Sequence, residues 1–299
     1  MEANRAGGQL HSGPRSPKSP TTIHHLRNSM IVTVLRILLF VLLTVLTQLG
    51  GVAYIAALAV SKMLRLTGWG VRLGVFLLFY VCVAYAASLL APKVGRVPLS
   101  CFANPSDRLV VHSPVYCALN RNYVTPEMLR MAEALADHME ERFPGTVTVV
   151  LDANFPFIDG FPLLPHLSHA DGKKLDFAFY YRDNAGRFLN GVTRSPIGYF
   201  AFEQPAPTEE QPCAGRGDWL TTRWDLTWLQ PLFPDYAIEP ERIREAVAWL
   251  AATGVADYGV EKIFLEPHLS NALTLKAPSL RFQGCRAARH DDHIHVQIR

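Results

Sequence analysis

A long apolar segment constrains this chain more than any other feature of its sequence. Between residues 37 and 91 there are three charged side chains, Lys62, Arg65 and Arg72. The uncharged runs 37–60 and 73–91 contain 24 and 19 residues, and about 20 apolar residues are enough to cross a bilayer as a helix. The sequence therefore predicts two transmembrane helices within residues 31–92, which makes the lipid bilayer a partner of the chain.

Charge is distributed unevenly over the 299 residues. Residues 1–92 contain eight Lys or Arg and one Glu, a net charge of +7, whereas residues 93–299 contain 21 basic and 25 acidic side chains, a net charge of −4. Nucleic-acid-binding domains have a basic surface that neutralises phosphates, so the acidic balance of the larger part indicates that nucleic acid is not a partner.

The basic residues near the membrane segments bear on orientation. Cytoplasmic loops of membrane proteins are enriched in Lys and Arg, and both the N-terminal tail and the connection 61–72 are basic. Two crossings, however, would place the tail on the same side as residues 93–299. Charge alone therefore leaves the orientation open.

The rest of the chain divides into three parts. Residues 1–30, rich in Gly, Pro, Ser, His and Arg, are predicted to be a disordered basic tail. Residues 93–124 are predicted to be a linker leading into a soluble domain at 125–299. That domain contains segments with the periodicity of helices, 125–142 and 240–253, and of short strands, 146–151, 175–181, 262–265 and 293–298. Such a mixture predicts an α+β fold with an antiparallel sheet.

Four of the five cysteines lie after the membrane segments, at Cys101, Cys117, Cys213 and Cys285. An even number permits two disulfides in three connectivities, which would suit an oxidising compartment. Four free thiols are the alternative. The tryptophans of residues 219–228, Trp219, Trp224 and Trp228, are expected to pack in the core, with a wall for glycan or peptide as the alternative.

Histidines are concentrated in two short motifs of the domain. Residues 166–176 read HLSHADGKKLD, and residues 290–296 read HDDHIHV. A catalytic zinc site has three protein ligands, commonly imidazole with a carboxylate, and an open fourth position. Either motif alone is more often a surface feature. Both motifs within one domain predict a zinc site.

The spacing within each motif is compatible with such a site. A turn at Gly172 would let His169 and Asp176 approach the same metal ion. His293 and His295 are two residues apart in a predicted strand, so their side chains share a face. One of them can be a ligand while the other lies beside the metal.

The two motifs resemble the zinc-binding pattern of the lysostaphin, D-alanyl-D-alanine carboxypeptidase and hedgehog-type metallopeptidases, most closely the penicillin-insensitive murein endopeptidase family. Residues 260–267, VEKIFLEP, also resemble the penultimate strand of that family. The resemblance covers about residues 145–299 and not the membrane segments. It implies a peptidase domain in the periplasm, anchored to the bacterial inner membrane, that hydrolyses peptidoglycan at either the D-alanyl-diaminopimelyl cross-link or the terminal D-alanyl-D-alanine.

The resemblance also implies roles for individual residues. The zinc ligands would be His169, Asp176 and His295. His293 would stabilise the transition state, and His166 and His290 would line the same cleft. Related carboxypeptidases have an acidic general base three positions before the last ligand, which is Asp292 here. The murein endopeptidase family does not clearly have that acid, so His293 is the alternative base.

Two other classes of function remain open from the sequence. The domain could be a zinc-binding sensor or adaptor that has lost catalysis, as in hedgehog signalling domains. The chain could also be a membrane protein whose large domain holds partners while its histidines are incidental. Bound zinc without cleavage would indicate the first, and absence of bound metal would indicate the second.

Overall fold

A computed structural model describes the chain over residues 20–102, 104, 106–216, 221 and 223–299, with the backbone alone for 20–28. Residues 1–19 of the predicted disordered tail therefore lie outside the described residues. From Pro20 onward the backbone is helical. The prediction of disorder is wrong for residues 20–30.

Three apolar helices precede the domain: α1 (Pro20–Thr47), α2 (Gly50–Met63) and α3 (Trp69–Leu90). Two stretches are long and apolar enough to cross a membrane, Ser29–Thr47 and Trp69–Val94, whereas α2 has 14 residues. Two candidate membrane spans are thus present, as predicted. The first does not extend over 37–60, because the chain changes direction inside that range.

The reversal occurs at Gln48, whose φ of 62° is in the left-handed region. Gly51 follows in close contact with α1, since a Cβ atom there would lie 2.0 Å from Oγ1 of Thr44. In a straight helix these two residues would be about 10 Å apart along the axis, so α2 folds back along α1. The rings of Tyr54 and Phe76, 6.3 Å apart, show α2 packed in turn against α3. α1 and α3 therefore run towards the domain, and α2 runs away from it.

The described residues of the domain form five further helices and eleven strands. The helices are α4 (Pro114–Ala118), α5 (Pro126–Arg142), α6 (Pro240–Trp249), α7 (Val255–Asp257) and α8 (Pro267–Ala272). A π-helical turn, Leu250–Gly254, connects α6 to α7. The strands are β1 (Val97–Pro98), β2 (Leu109–Val111), β3 (Tyr123–Val124), β4 (Thr148–Val150), β5 (Lys174–Ala178), β6 (Tyr181–Arg182), β7 (Phe188–Leu189), β8 (Ala237–Ile238), β9 (Val260–Phe264), β10 (Leu280–Arg281) and β11 (His293–Ile298).

Local sequence explains where α5 begins. The hydroxyl of Thr125 accepts a hydrogen bond from the N–H of Met128 at 3.3 Å, and Pro126 occupies the first helical position. Both are favoured at helix N-termini, because the hydroxyl satisfies a free N–H and proline has none to satisfy. The helix predicted over 125–142 is confirmed.

Six strands form the main sheet, in the order β10-β9-β11-β5-β4-β2. The β9–β10 and β2–β4 pairs are parallel and the others are antiparallel. The α+β class is confirmed, but the sheet is mixed rather than antiparallel. Two small sheets, β1-β3 and β7-β6-β8, accompany it.

Side chains of the two central strands, β5 and β11, point alternately to the apolar core and to the polar face of the sheet. The core-facing residues of β5 and β11, packed with α5 and α6, are Leu175, Phe177, Ile294, Val296 and Ile298. Since successive side chains of a strand point to opposite faces, the intervening Asp176, His293 and His295 lie on the other face. The same strands that close the core therefore present the candidate ligands.

The segment 93–124 is not a linker. It contains β1, β2, α4 and β3, and β1 pairs with β3. One turn, Ala91–Val94, separates α3 from this structured region, and Ala91 and Arg96 are buried. The membrane helices thus join the domain without a flexible spacer.

Candidate metal centre

Strand register brings two of the predicted ligands together. His295 on β11 is the direct partner of Asp176 on β5, and directly opposed residues of an antiparallel pair have Cβ atoms about 5 Å apart. His169 comes from the loop before β5, which turns at Gly172. A Cβ atom there would lie 2.6 Å from Nε of Arg96, and the φ of 75° is left-handed, so this turn requires glycine.

The three predicted ligands converge on one point. Nε2 of His169 is 3.1 Å from Nδ1 of His295 and 3.3 Å from Oδ1 of Asp176, and the last two atoms are 2.7 Å apart. Tetrahedral coordination with bonds of about 2.0 Å places ligand atoms about 3.3 Å from each other. All three residues are almost fully buried. The donor set and its spacing therefore fit one metal ion.

Outer contacts orient each ligand. Nδ1 of His169 donates to the carbonyl oxygen of Ala153 at 2.8 Å, which leaves the Nε2 lone pair for a metal. The amide of Gln297 lies 3.0 Å from Nε2 of His295. The hydroxyl of Tyr199 donates to Oδ2 of Asp176 at 2.6 Å. Partners of this kind fix ring and carboxylate orientation in metal sites.

The site contains groups in different charge states. Burial alone would raise the pKa of Asp176, but the imidazoles around it, first that of His169, hold the pKa well below its usual value. Burial lowers the pKa of His295 to about 4 even though Asp176 opposes the shift. Burial also disfavours a charged His293, but Asp176 and Asp292 outweigh it and raise the pKa to about 9. An anionic carboxylate, a neutral imidazole and a protonated imidazole are therefore adjacent.

His293 and Asp292 form a pair beside the three ligands. Nδ1 of His293 is 2.5 Å from Oδ1 of Asp292, while its Nε2 is 3.6 Å from Oδ2 of Asp176. The other oxygen of Asp292 accepts the backbone N–H of Phe200 at 2.6 Å. Both oxygens of Asp292 are thus occupied, and His293 is the member of the pair that faces the ligands.

The remaining two histidines of the motifs belong to the same cluster. His166 Nδ1 lies 3.5 Å from Oδ2 of Asp176, and the rings of His290 and His293 are 5.0 Å apart. Two further sets of side chains could each hold a metal ion, His166 with His169 and Asp176, and His290 with His293 and His295. The structure therefore brings together every candidate site residue.

No family model and no curated protein matches this chain. Function is accordingly inferred from the geometry of the site and the two motifs that form it.

Three residues around the site were missed by the sequence analysis. Buried Asp152 accepts two hydrogen bonds from the guanidinium of Arg121, and its Oδ2 is 3.1 Å from Nδ1 of His166. Its backbone N–H donates to the hydroxyl of Tyr199 at 3.0 Å. Asp152 comes directly after an apolar strand. An acidic residue at such a position could have been recognised from the sequence as a candidate site residue. Arg121 and Tyr199 are distant in sequence and belong to no motif.

A cavity of about 720 Å³ adjoins the metal centre. Glu266, in its wall, accepts the backbone N–H of His290 at 3.3 Å and pairs with both terminal nitrogens of Arg223 at 2.9 Å. Trp224 also lines it, beside Phe200, with ring centroids 6.4 Å apart. The seven candidate site residues are not among its described lining residues; His166, Asp292 and His293 line a smaller pocket of about 20 Å³, together with Trp224.

The expectation that the tryptophans pack in the core is wrong for two of them. Trp224 and Trp228 are 47% and 70% exposed, and Trp219 lies outside the described residues. Trp224 lines the small pocket beside His166 and His293, and its alternative role as a wall for glycan or peptide stays a prediction.

Proposed function

We propose that this chain is a membrane-anchored zinc peptidase that hydrolyses peptide bonds of bacterial peptidoglycan. The observation that carries the proposal is the triangle of donor atoms from His169, Asp176 and His295, with His293 beside it. Three protein ligands and a free fourth position are the arrangement of catalytic zinc. The two possible bonds are the D-alanyl-diaminopimelyl cross-link and the terminal D-alanyl-D-alanine.

The metal and the protein would supply different parts of the chemistry. Zinc bound by the three ligands would polarise the scissile carbonyl and acidify a water molecule. His293 faces the ligands through Nε2 and would donate a hydrogen bond to the carbonyl oxygen as negative charge develops there. As a protonated imidazole it would then give its proton to the leaving amine and would regain one from the attacking water, so that the proton lost by the water replaces the one transferred.

Asp292 has a different role in this proposal from the general base expected from the resemblance. Its two oxygens accept hydrogen bonds from His293 and from the backbone of Phe200. It therefore holds the imidazole in one orientation and favours its protonated form. His293, the alternative base, is the residue that moves the proton.

The path of the helices supports a periplasmic domain. Because α2 folds back along α1, the start of α1 and the connection after α2 both lie at the ends of the helices away from the domain. The basic residues of the tail and of residues 61–72 then share one side, and positive charge favours the cytoplasm. The domain would lie on the opposite side of the membrane, where peptidoglycan is.

Two disulfides support the same orientation. The pairs are Cys101–Cys117 and Cys213–Cys285, while Cys82 in α3 is free. Structural disulfides persist in oxidising compartments such as the periplasm and are rare in the cytosol. All four paired cysteines belong to the domain.

A zinc-binding sensor or adaptor is the second candidate. The observation that favours it is burial, since His169, Asp176, His293 and His295 are each at most 2% exposed. A metal enclosed to that degree would meet substrate only after side chains such as that of Trp224 move. This candidate predicts tightly bound zinc and no release of peptide.

The decisive experiment uses the full-length protein in nanodiscs, with its metal measured by mass spectrometry. We expect about one zinc per chain and release of muropeptides from purified murein, abolished by a chelator and restored by zinc. Identification of the new termini assigns the bond. Bound zinc without any product supports the adaptor, and protein without zinc contradicts both candidates.

An Asp292→Asn variant separates binding from catalysis. The amide keeps an oxygen for Nδ1 of His293 but loses the charge that favours the protonated ring, so we expect normal zinc content and hydrolysis slower by about 100-fold or more. The matched control is Asp257→Asn, on the exposed end of α7. Full activity of Asp292→Asn would contradict the role of this pair.

Membrane orientation can be measured by cysteine labelling in spheroplasts. In a Cys82→Ser background, we expect Asp257→Cys to react with an impermeant maleimide in intact spheroplasts, because the domain faces outward. Thr67→Cys, in the exposed connection between α2 and α3, should react only after permeabilisation. The reverse pattern would rule out a periplasmic domain.

A further inference from the structure

Hydrogen bonds join the membrane helices directly to the domain. The side-chain amide of Asn120 donates to the hydroxyl of Tyr80 in α3 at 2.9 Å. The backbone N–H of Phe157 donates to the side-chain oxygen of Gln48, which follows α1, at 3.0 Å. The segments around residues 120 and 157 therefore lie against the helices.

Exposed apolar side chains are concentrated around this joint. Among the described residues after Gly95, nine large apolar side chains are exposed. Five of them belong to segments 102–120 and 157–167, which contain the hydrogen-bonding residues of the joint: Phe102, Val115, Ile158, Leu164 and Leu167. Phe102 is held near α4 by the Cys101–Cys117 disulfide. The tyrosine hydroxyl of the joint donates to the carbonyl of Ala118, also in α4, at 2.5 Å.

We propose that these five side chains form an apolar collar that lies in the interfacial layer of the bilayer, at the level where α1 ends and where Tyr80 of α3 contacts the domain. Exposed apolar patches on a domain indicate a contact with protein or membrane. The bilayer is the occupant argued here, because the collar is continuous with the helices that the bilayer surrounds. The inference rests on α1 and α3 being in the membrane and not on peptidase activity.

The collar has a consequence for the metal centre. Ile158, Leu164 and Leu167 belong to the loop that also carries His166 and His169. Contact of this loop with the bilayer holds the centre at the membrane surface. Under the proposed function, the substrate would therefore be murein peptide that reaches the membrane surface.

Depth-dependent quenching tests the collar. In the Cys82→Ser background, Leu164→Cys is labelled with an environment-sensitive fluorophore, and the full-length protein is placed in nanodiscs of phosphatidylethanolamine and phosphatidylglycerol. The matched control is Leu232→Cys, because Leu232 is 72% exposed but lies outside the collar segments. We expect lipids with a nitroxide near the headgroup to quench the label at 164 at least twofold more than the label at 232.

Other outcomes are also informative. Equal quenching at both positions overturns the proposal. A label at 164 that is shielded from water but not quenched by the lipid means that protein, such as a second copy of the chain, covers the collar, and this too overturns it. Ile158→Cys repeats the test at a second position, and mass spectrometry confirms that both disulfides are intact in each variant.

Discussion

Replacing His295 with alanine is expected to remove bound zinc from the protein and to abolish hydrolysis of murein. The variant loses one of three donors, whereas losing a partner outside the donor set typically weakens metal affinity 10–100-fold. We therefore expect an affinity more than 100-fold weaker, and a rate equal to that of chelator-treated wild type. Competition with a zinc-binding dye measures the affinity, and muropeptide release measures the rate.

His138→Ala is the matched control for this variant. His138 is partly buried, and like His295 it contacts a carboxylate, with its Nε2 2.7 Å from Oε1 of Glu245. It lies outside the cluster. Its removal should leave zinc affinity and rate unchanged. Retention of one tightly bound zinc by His295→Ala would show that another set of histidines holds the metal.

Replacing Arg121 with leucine is expected to cause the largest loss of stability. The guanidinium binds both oxygens of fully buried Asp152 and donates to the carbonyl of Leu164 at 2.8 Å. Burial alone would raise the pKa of Asp152, but Arg121 lowers it, so the variant leaves a buried charge without its main partner. Breaking such a pair costs about 3–5 kcal/mol, measured as a lower free energy of unfolding of the full-length protein.

Arg108→Leu separates this effect from the loss of any arginine. Arg108 pairs with Asp137 at 2.9 Å, but its side chain is 50% exposed. Exposed pairs contribute about 1 kcal/mol or less, so this variant should unfold close to wild type. Equal destabilisation by both substitutions would contradict the importance of the buried pair.

The candidate ligands could be predicted because strand geometry is visible in sequence. His293 and His295 alternate with apolar residues, and this period of two fixes which side chains face the core. The register that places His295 opposite Asp176 joins residues that are far apart in sequence, so spacing could not predict it. The pairing of these two residues as ligands was expected from the family resemblance. Arg121 and Tyr199 had no signal, since their importance comes from tertiary contacts with Asp152 and Asp176.

For the apolar helices, the sequence predicted the local structure but not the path of the chain. Hydropathy identified apolar helices correctly, but it carries no information about chain direction. The reversal at Gln48 depends on one left-handed residue and on close packing at Gly51. The Gly50–Gly51 pair was the one sign of this reversal in the sequence. Composition alone does not distinguish a glycine at a close helix contact from any other glycine.

The short connection between α3 and the domain limits how far the metal centre can lie from the membrane. Only Gly95 and Arg96 separate the turn Ala91–Val94 from β1. A domain of this size has a diameter on the order of 40 Å, so under the proposed function the centre could act no farther than that from the lipid. Cross-links in distant layers of the wall would be inaccessible to it, and only strands close to the membrane would be cut.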